Sequence, residues 1–348
     1  MKYRVIIGLL AVVLAGLVVV EAGAQSSDRV PAFPLVNGHQ VLKCDFHMHT
    51  PHSDGDIAPV ARVEEAAEQG YDAIAITDHG NFKAYAEALP RANELGLVLV
   101  RGMETGLADR EHLVALGFDA AYEPVNPHKW ARTEDEDRVF YQTQWRRLVE
   151  EAGAFVLYAH PHKGFEEPVQ WAVEEDLLKG IEVKNGVVGE GWNTVESHGT
   201  WFYPFALDWA IEHDLAVFAN SDAHDPRDAD NLPITLVLVD ERSAEGVLEA
   251  LHDGRTIAWF DGMLWGKQDL LRAFIEANID VSPGDTIDIH NRGSVPLTGV
   301  FQDGHSADVP PFKKASVTRE NAGDTMTITW ANVWVRPDKN LATTHSLQ

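Results

Sequence analysis

The sequence is poor in cysteine and in basic residues. Cys44 is the only cysteine among 348 residues, so no intramolecular disulfide framework is available and the fold has to be held by packing. Lys and Arg number 28 against 54 Asp and Glu, which gives a formal charge of −26. Such an acidic surface repels phosphate backbones and disfavours nucleic acid as a partner, unless a local positive site such as bound metal ions outweighs the field.

Long apolar runs are absent after residue 20. The single such run, residues 5–20, follows the basic Lys2 and Arg4 and precedes the small-residue triplet 22–24. This pattern predicts a signal peptide over residues 1–24, and therefore a secreted or periplasmic protein. A retained membrane anchor is the alternative, but the run is shorter than the roughly 20 residues that a spanning helix needs. We expect no membrane span after cleavage.

Familiar catalytic motifs are also missing. The chain has no G-x-S-x-G elbow and no C-x-x-C, and the glycines of "NGVVGEG" lack the Lys and Ser/Thr of a phosphate-binding P-loop. No repeat at a solenoid period and no low-complexity tract is present. The sequence therefore gives no motif for a serine nucleophile, a C-x-x-C redox site or a P-loop.

Short β-rich runs alternate with amphipathic helical runs along most of the chain. Predicted helices cover residues 59–70, 82–96, 138–153 and 169–180, and several end on glycine, as helix C-termini often do. Repeated β-then-α units build a parallel sheet, and seven or eight of them can close into a barrel. The predicted strands are 41–49, 73–79, 97–105, 112–118, 155–160, 180–184 and 215–224.

A second pattern begins after about residue 267. Short alternating runs such as "DTIDIHN" and "TMTITWANVWV" are separated by Gly, Pro and Asn clusters, which is typical of a small antiparallel module. The predicted organisation is a barrel over residues 25–268 and a small sandwich-like all-β domain over residues 269–348.

Metal-binding side chains follow the predicted strands. His47 and His49 are two apart in "LKCDFHMHTPHSDGD", and Asp222 and His224 are two apart in "NSDAH", so each pair is predicted to share one strand face. Barrel active sites form at the carboxyl ends of the strands, where most of the other candidates fall. The nine candidate ligands are His47, His49, Asp54, His79, Glu104, His112, His160, Asp222 and His224.

Nine donors are too many for one ion that must keep an open position, and they fit two or three ions. Imidazole and carboxylate donors without thiolate suit Zn, Mn or Fe, and the donor set does not choose among them. His52 and His162 lie beside predicted ligands in the sequence, but their positions do not fall on the same face as those ligands in the alternating pattern of a strand. This favours a substrate contact or a supporting role for each of them. Asp78 is either an acceptor that orients a ligand or a plain strand-end cap.

The ordered set H-x-H, "SDG", "TDH", an isolated Glu, a strand-opening His, "AHP" and a terminal D-x-H resembles the PHP (polymerase and histidinol phosphatase) family over residues 41–265. This resemblance implies a distorted seven-stranded (β/α) barrel with a trinuclear metal centre that hydrolyses phosphate esters, and it makes all nine residues its ligands. The stretches "NSDAHDP" and "GRTIAWFDGMLWGKQDLLRAF" are similar to the secreted branch of Sb-PDE family phosphodiesterases, which also carry a small C-terminal β module.

The expected activity is hydrolysis of a small-molecule phosphodiester by a metal-bridged hydroxide, with no side-chain nucleophile. His162, Lys163 and Arg227 follow predicted strand ends and are candidates to meet a phosphate oxygen or donate a proton, although each is also compatible with an ordinary surface charge. The aromatic run 192–203 is a candidate wall for an ester group, and Trp209 is predicted to pack in the core.

Other functions remain open at this point. A phosphomonoesterase or a carbamate or carboxyl ester hydrolase would use the same site. A non-catalytic metal-binding module is disfavoured because a decayed site would have lost ligands. The sequence leaves the oligomeric state open.

Overall fold

The computed structural model describes residues 32–106, 112–124, 135–162, 164–165, 167–187, 195–197, 200–227, 232–282, 284, 286–318 and 324–347. The predicted signal peptide lies outside these residues. Within the described part of the chain, no helix is both long and apolar enough to cross a membrane.

The first part of the chain alternates strands and helices. Its strands are β1 (Gln40–Asp45), β2 (Ala73–Ile76), β3 (Val98–Gly106), β4 (His112–Leu116), β5 (Phe155–Tyr158), β6 (Gly180–Asn185), β7 (Val195–Ser197), β8 (Thr200–Phe202), β9 (Ala216–Asn220), β10 (Ile234–Val239), β11 (Thr256–Phe260) and β12 (Met263–Trp265). Its helices are α1 (Pro59–Glu68), α2 (Lys83–Leu95), α3 (Asp135–Arg146), α4 (Val169–Glu174), α5 (Pro204–Glu212) and α6 (Ala244–His252), and a π-helical turn (Arg147–Glu151) follows α3.

The last part of the chain is rich in β-strands, as its alternating sequence predicts. After α7 (Gln268–Asn278) come β13 (Ile279–Ser282), β14 (Thr286–Asn291), β15 (Leu297–Phe301), β16 (Ser306–Val309), β17 (Lys314–Thr318), β18 (Thr325–Arg336) and β19 (Lys339–Ser346). Strands β13, β14 and β17 form an antiparallel sheet of their own. The others in this set join the main sheet, where β18 pairs with β12 in parallel.

The main sheet is mixed. Its order runs β16-β15-β18-β12-β11-β10-β1-β2-β3-β4-β5-β6-β9, with β19 beside β18. Pairs β1–β2, β2–β3, β5–β6 and β6–β9 are parallel, as βαβ units require. Strand β4 is antiparallel to both neighbours because it returns directly from β3 as a hairpin. The α/β class is therefore confirmed, but the predicted parallel sheet is wrong at β4 and also at β1, which pairs with β10 in antiparallel fashion.

The free edge of β9 is satisfied by side chains. The backbone N–H of Val217 donates to Thr256 Oγ1 at 2.8 Å, and that of Ala219 donates to Thr235 Oγ1 at 3.0 Å. These threonines belong to β10 and β11, which therefore lie against β9. Closure of the sheet into the predicted seven-stranded barrel stays a prediction.

Burial explains why these segments form strands and helices. Every residue of β2 and β5 is buried, which is expected of strands covered on both faces. On α2, Ala84, Ala88 and Ala92 form a buried stripe of small side chains that lets this helix approach its neighbours closely. The helix ends at Gly96, whose φ of 65° is the left-handed conformation that glycine adopts readily.

Candidate metal centre

The segments that follow β1 and β9 are held together by their backbones. The N–H of His49 donates to the Ala223 carbonyl at 2.9 Å, and the N–H of Asp222 donates to the His47 carbonyl at 2.7 Å. Gly55 lies close beneath this junction, because a Cβ there would be 2.4 Å from the carbonyl carbon of His49. The earliest and latest predicted ligands thus meet at one edge of the sheet.

All nine predicted ligands come together at this edge. They form four overlapping groups in which one donor atom from each residue lies within 4.8 Å of the others. The groups are His47, Glu104 and His160; His47, His49 and Asp222; His79, Glu104 and His112; and His49, Asp54, His79 and His224.

The spacing of the deepest donors fits metal coordination. His49 Nε2 lies 3.1 Å from Asp222 Oδ1 and 3.2 Å from Glu104 Oε2. Metal bonds of about 2.0–2.2 Å separate neighbouring donors by roughly 3.0–3.5 Å. These three atoms are buried and lack a hydrogen-bond partner, as does His47 Nε2. Buried polar atoms without partners are rare and costly, and shared cations would satisfy all four.

The donors differ in exposure. The side chains of His47, His49 and Glu104 are at most 1 % exposed, whereas that of Asp54 is 52 % exposed. A cavity of about 390 Å³ opens onto the centre and is lined by Ser53, Asp54, His79 and His112. The group of His49, Asp54, His79 and His224 therefore forms the rim of the centre. The two groups that contain His47 lie deeper, whereas His112 of the remaining group also lines the cavity.

Opposite charges set the protonation of the metal-free centre. Burial lowers the pKa of His49, but the neighbouring carboxylates of Asp222 and Glu104 outweigh this effect and raise the pKa to about 9. Burial raises the pKa of Glu104, but the charge of His47 and hydrogen bonds from His112 and other histidines hold it well below its ordinary value. The raised pKa of His49 therefore favours a proton on an imidazole where a metal ion would replace it.

Glu182 supports the centre from behind. Its Oε1 accepts from His47 Nδ1 at 2.9 Å and from Asn220 Nδ2 at 2.9 Å, while its Oε2 accepts from the His160 N–H at 2.7 Å and Asn185 Nδ2 at 3.0 Å. A carboxylate that holds one imidazole nitrogen directs the other toward a metal. Sequence reasoning missed Glu182, although a glutamate inside the apolar strand "GIEVKN" is a usable signal.

Asp78 organises the loop that carries Asp54. Its carboxylate accepts from the Thr50 N–H at 2.8 Å, from Thr50 Oγ1 at 2.7 Å and from Ser53 Oγ at 2.8 Å. Of the two roles considered for Asp78, these contacts support a cap, and the capped segment is the loop after β1. His52 points away from the centre and bonds Glu87 at 2.8 Å near the surface.

Two of the three residues suggested to assist catalysis, His162 and Arg227, can be placed beside other parts of the structure. His162 Nδ1 bonds the His160 carbonyl at 2.8 Å, and the two rings are 5.7 Å apart. The Arg227 guanidinium lies over Gly186, where a Cβ would come within 2.4 Å of Nη1. Lys163 lies outside the described residues.

Two local expectations from the sequence are wrong. Asp222 and His224 do not act as one strand face, since they enter different groups. The reason is that β9 ends at Asn220 and Asp222 adopts a left-handed φ of 51°, which breaks the alternation of a strand. Phe202 and Tyr203 do not line the cavity, because they are buried in the core with Phe260 and Trp265.

The remainder of the aromatic run cannot be placed in the same way. Trp192 lies outside the described residues, and only the backbone of Trp201 is described. Trp209 packs against the core beside Phe165, at a ring distance of 5.3 Å, as the sequence predicts.

The chain is similar to known proteins in sequence and in fold. The family model for the PHP domain matches residues 45–201, and the model for a PHP-associated region matches residues 204–256. A solved two-domain protein from Bacteroides vulgatus, described as containing a predicted PHP-like metal-dependent phosphoesterase, superposes with a TM-score of 0.74 at 26 % identity. The match covers 92 % of this chain and 100 % of that one.

Curated relatives match only in part. A PolC-type DNA polymerase III of Staphylococcus epidermidis is 28 % identical over 157 residues, which is 41 % of this chain and 10 % of the polymerase. A 5'-3' exoribonuclease of Haemophilus influenzae is 36 % identical over 83 residues, which is 23 % of this chain and 30 % of the exoribonuclease. The chain thus covers less than a third of the length of either relative.

Proposed function

We propose that this chain, which carries a PHP domain followed by a PHP-associated region, is an exported metal-dependent phosphodiesterase acting on small-molecule esters. The observation that carries the proposal is the convergence of nine imidazole and carboxylate residues, several with buried unpartnered donor atoms, beside an open cavity. Such a donor set fits two to three ions of Zn, Mn or Fe.

Different residues of the chain would hold the ions and border the path of the substrate. Bound ions would supply Lewis acidity and an acidified water for hydrolysis. Glu104 would join neighbouring ions, because its Oε1 lies 2.7 Å from His112 Nδ1 while its Oε2 lies 3.0 Å from His79 Nδ1. Substrate would approach from the cavity side, where Asp54, His79 and His112 are accessible.

The cavity lining favours a singly charged substrate. Among the described residues that line it, none is Lys or Arg, and the chain as a whole carries a charge of −26. A monoester dianion calls for additional fixed cations such as a bidentate arginine, whereas metal ions alone can neutralise a diester monoanion. The resemblance to secreted Sb-PDE phosphodiesterases agrees with this choice.

His162, Lys163 and Arg227 are proposed to assist the reaction by meeting a phosphate oxygen or donating a proton to the leaving group. Export is proposed from residues 1–24, and N-terminal sequencing of the mature protein from the periplasm or medium tests it. A mature chain beginning at Gln25 is the expected result.

Turnover of matched esters tests the reaction. We expect kcat/KM for bis-p-nitrophenyl or ethyl p-nitrophenyl phosphate to exceed that for p-nitrophenyl phosphate at equal metal loading. p-Nitrophenyl acetate and a p-nitrophenyl carbamate complete the panel. A clear preference for the monoester indicates a phosphomonoesterase, and a preference for the last two substrates indicates a carbamate or carboxyl ester hydrolase.

Elemental analysis tests the centre independently of activity. We expect two to three transition-metal ions per chain in folded protein that has not met a chelator. Asp222→Ala should lose metal and turnover, because Asp222 Oδ1 lies 3.1 Å from His49 Nε2 and 3.4 Å from His47 Nε2. His345→Ala is the control, since His345 bonds Thr343 in β19 instead. At most one ion per chain, or normal activity in Asp222→Ala, contradicts the assignment.

A further inference from the structure

Arg62 is a buried arginine on α1. Its side chain is 0 % exposed, although arginine is among the residue types that are rarely fully buried unless paired. Among the described residues, the counter-charge that it contacts directly is Glu65, which accepts from Nη1 at 2.5 Å. One carboxylate does not use the five N–H groups of a guanidinium, so the other donors have to be accounted for.

The remaining donors bond backbone carbonyls. Nε and Nη2 donate to the His49 carbonyl at 3.3 and 3.2 Å, and Nη2 also lies 3.1 Å from the carbonyls of Ala223 and His224. Nη1 donates to the Asp225 carbonyl at 3.2 Å. One planar group therefore binds the loop after β1 and the loop after β9 at the same time.

These two loops carry rim donors of the centre. His49 and His224 belong to the rim group with Asp54 and His79, and their rings stack at 4.2 Å. The loops are also joined by the Asp56 N–H, which donates to the His224 carbonyl at 2.8 Å. Removing the guanidinium would leave the carbonyl oxygen of His49 without a described hydrogen-bond partner.

We infer that Arg62 is a positioning residue that fixes His49 and His224 relative to each other, so that the rim group is assembled before an ion binds. This inference rests on the proposed metal centre and deepens it. Arg62 contacts no candidate donor atom, so it acts through the backbone of the two loops. Glu65 extends the same role, because its Oε1 accepts from the Arg227 N–H at 2.8 Å.

Lysine cannot replace arginine here. A lysine ammonium offers three donors from one point, whereas the guanidinium spreads five over a planar fork. Arg62→Lys therefore keeps the positive charge but loses the simultaneous hydrogen bonds to both loops. Loss of supporting contacts of this kind lowers metal affinity by about 10–100-fold.

The test compares Arg62→Lys with wild type by equilibrium dialysis against Mn²⁺, followed by elemental analysis. We expect the most weakly held ion to bind at least about tenfold more weakly in the variant, while the remaining ions are retained. The kcat should fall at limiting Mn²⁺ and recover at saturating Mn²⁺, with KM nearly unchanged. General destabilisation would not be reversed by metal in this way.

Arg91→Met is the matched control. Arg91 lies on α2 and bonds Glu64 of α1 at 2.9 Å and Glu94 at 2.8 Å, with its side chain 36 % exposed. This variant should bind ions as wild type does. Arg62→Ala with millimolar guanidinium provides a positive test, because the free ion should restore affinity where NaCl of equal ionic strength does not.

Several results would overturn the inference. Wild-type affinity and stoichiometry in Arg62→Lys would show that Arg62 does not position the rim, while leaving the metal centre intact. Should both Arg62 variants fail to fold, Glu65→Gln must show the same selective loss of the weakest ion, and wild-type binding by that variant rejects the inference. Wild-type protein that binds no ion would reject the metal centre itself.

Discussion

The Glu182 carboxylate determines which nitrogen of His47 faces the candidate metal centre. Because His47 Nδ1 bonds Glu182 Oε1 at 2.9 Å, Nε2 is the nitrogen that lies 3.3 Å from Glu104 Oε1 and that would offer its lone pair to a metal ion. In the part of the chain that the structure describes, the Glu182 side chain accepts from four N–H donors: the His47 ring, the His160 backbone and the amides of Asn185 and Asn220. The site consequently needs four acceptor positions and no donor.

We predict that Glu182→Gln weakens metal binding by about 10–100-fold. A glutamine must place its NH₂ group against donors on one side, which leaves buried donors unpaired at a cost of about 1–3 kcal/mol. Dialysis against limiting Mn²⁺ with elemental analysis measures the effect, and far-UV circular dichroism checks the fold. Glu87→Gln is the control, because Glu87 pairs with His52 at the surface. Equal ion affinity in Glu182→Gln and wild type would contradict the prediction.

At the scale of strands and helices, the hydrophobic pattern predicts where these elements lie, but it does not predict where the strands end. Strands β1 to β6 and β9 all fall within predicted runs or one residue beyond them, and α1 and α2 lie inside their predicted segments. Buried apolar runs report burial directly, which is why they are readable. The predicted strands 41–49 and 215–224 are too long, since β1 stops at Asp45 and β9 at Asn220.

The strand ends are governed by contacts that local sequence does not contain. Residues 46–49 leave the β1 ladder because they bond the segment after β9, more than 170 positions away, as the hydrogen bond from the His49 N–H to the Ala223 carbonyl shows. Asp222 and His160 take left-handed φ angles of 51° and 29°, which are uncommon outside glycine and cluster at functional sites. The alternation of side chains between the two faces of a strand does not hold at such residues. The sequence therefore identifies the candidate ligands but does not predict which of them group together.

Supporting residues were hardest to anticipate. Arg62 occupies a position on the buried face of α1 that sequence patterning assigns to an apolar side chain, and its partners are carbonyl groups of distant loops. Backbone acceptors have no sequence signature. Only the anomaly of a charge on a buried face pointed to a special role.

The C-terminal strands share a core with β10, β11 and β12. Leu264 pairs with Val333, and Trp265 pairs with Trp334, along β12 and β18. One buried cluster contains Leu236, Ile257 and Leu264 together with Trp330 and Val333 of β18. Residues on the two sides of the predicted boundary between residues 268 and 269 therefore pack against each other.

We predict that a chain ending at residue 268 does not fold stably. Removal of residues 269–348 eliminates several fully buried large apolar side chains, each of which contributes about 1.5–3 kcal/mol to stability. The net free energy of unfolding of a protein is only about 5–15 kcal/mol. Thermal unfolding followed by circular dichroism, with the full-length chain as control, checks this. A cooperative transition near the full-length Tm in the shortened chain would show that residues 25–268 are an independent domain.

On the scale of the whole molecule, an excess of acidic residues accompanies the candidate metal centre. The formal charge of −26 attracts divalent ions and repels highly charged anions. Within the centre, the raised pKa of His47 and the lowered pKa values of Glu104 and Asp222 show a metal-free network held by charge pairing. Protons and metal ions therefore compete for the same donors.

This competition gives opposite pH dependences to the metal-free and metal-loaded protein. The pKa of His49 is raised from an ordinary 6.5 to about 9, so its stabilising contribution is present below about pH 6.5 and is lost as pH rises through about 9. The pKa values of Asp222 and Glu104 are lowered from ordinary values of 3.8 and 4.5, so their contribution is lost on acidification. The metal-free centre is thus most stabilising between about pH 4.5 and 6.5.

We predict that the Tm of chelator-treated protein falls between about pH 6.5 and 9, while the rise in Tm caused by added Mn²⁺ grows over the same range because ions bind deprotonated imidazole. Differential scanning fluorimetry with chelator or Mn²⁺ at each pH measures both. Asp222→Asn serves as the matched variant: removing the charge beside His47 and His49 lets their pKa values return toward ordinary, so the decline of the metal-free Tm should flatten. A metal-free Tm that rises toward pH 9, or a Mn²⁺-induced shift independent of pH, would show that protons and ions do not share these donors.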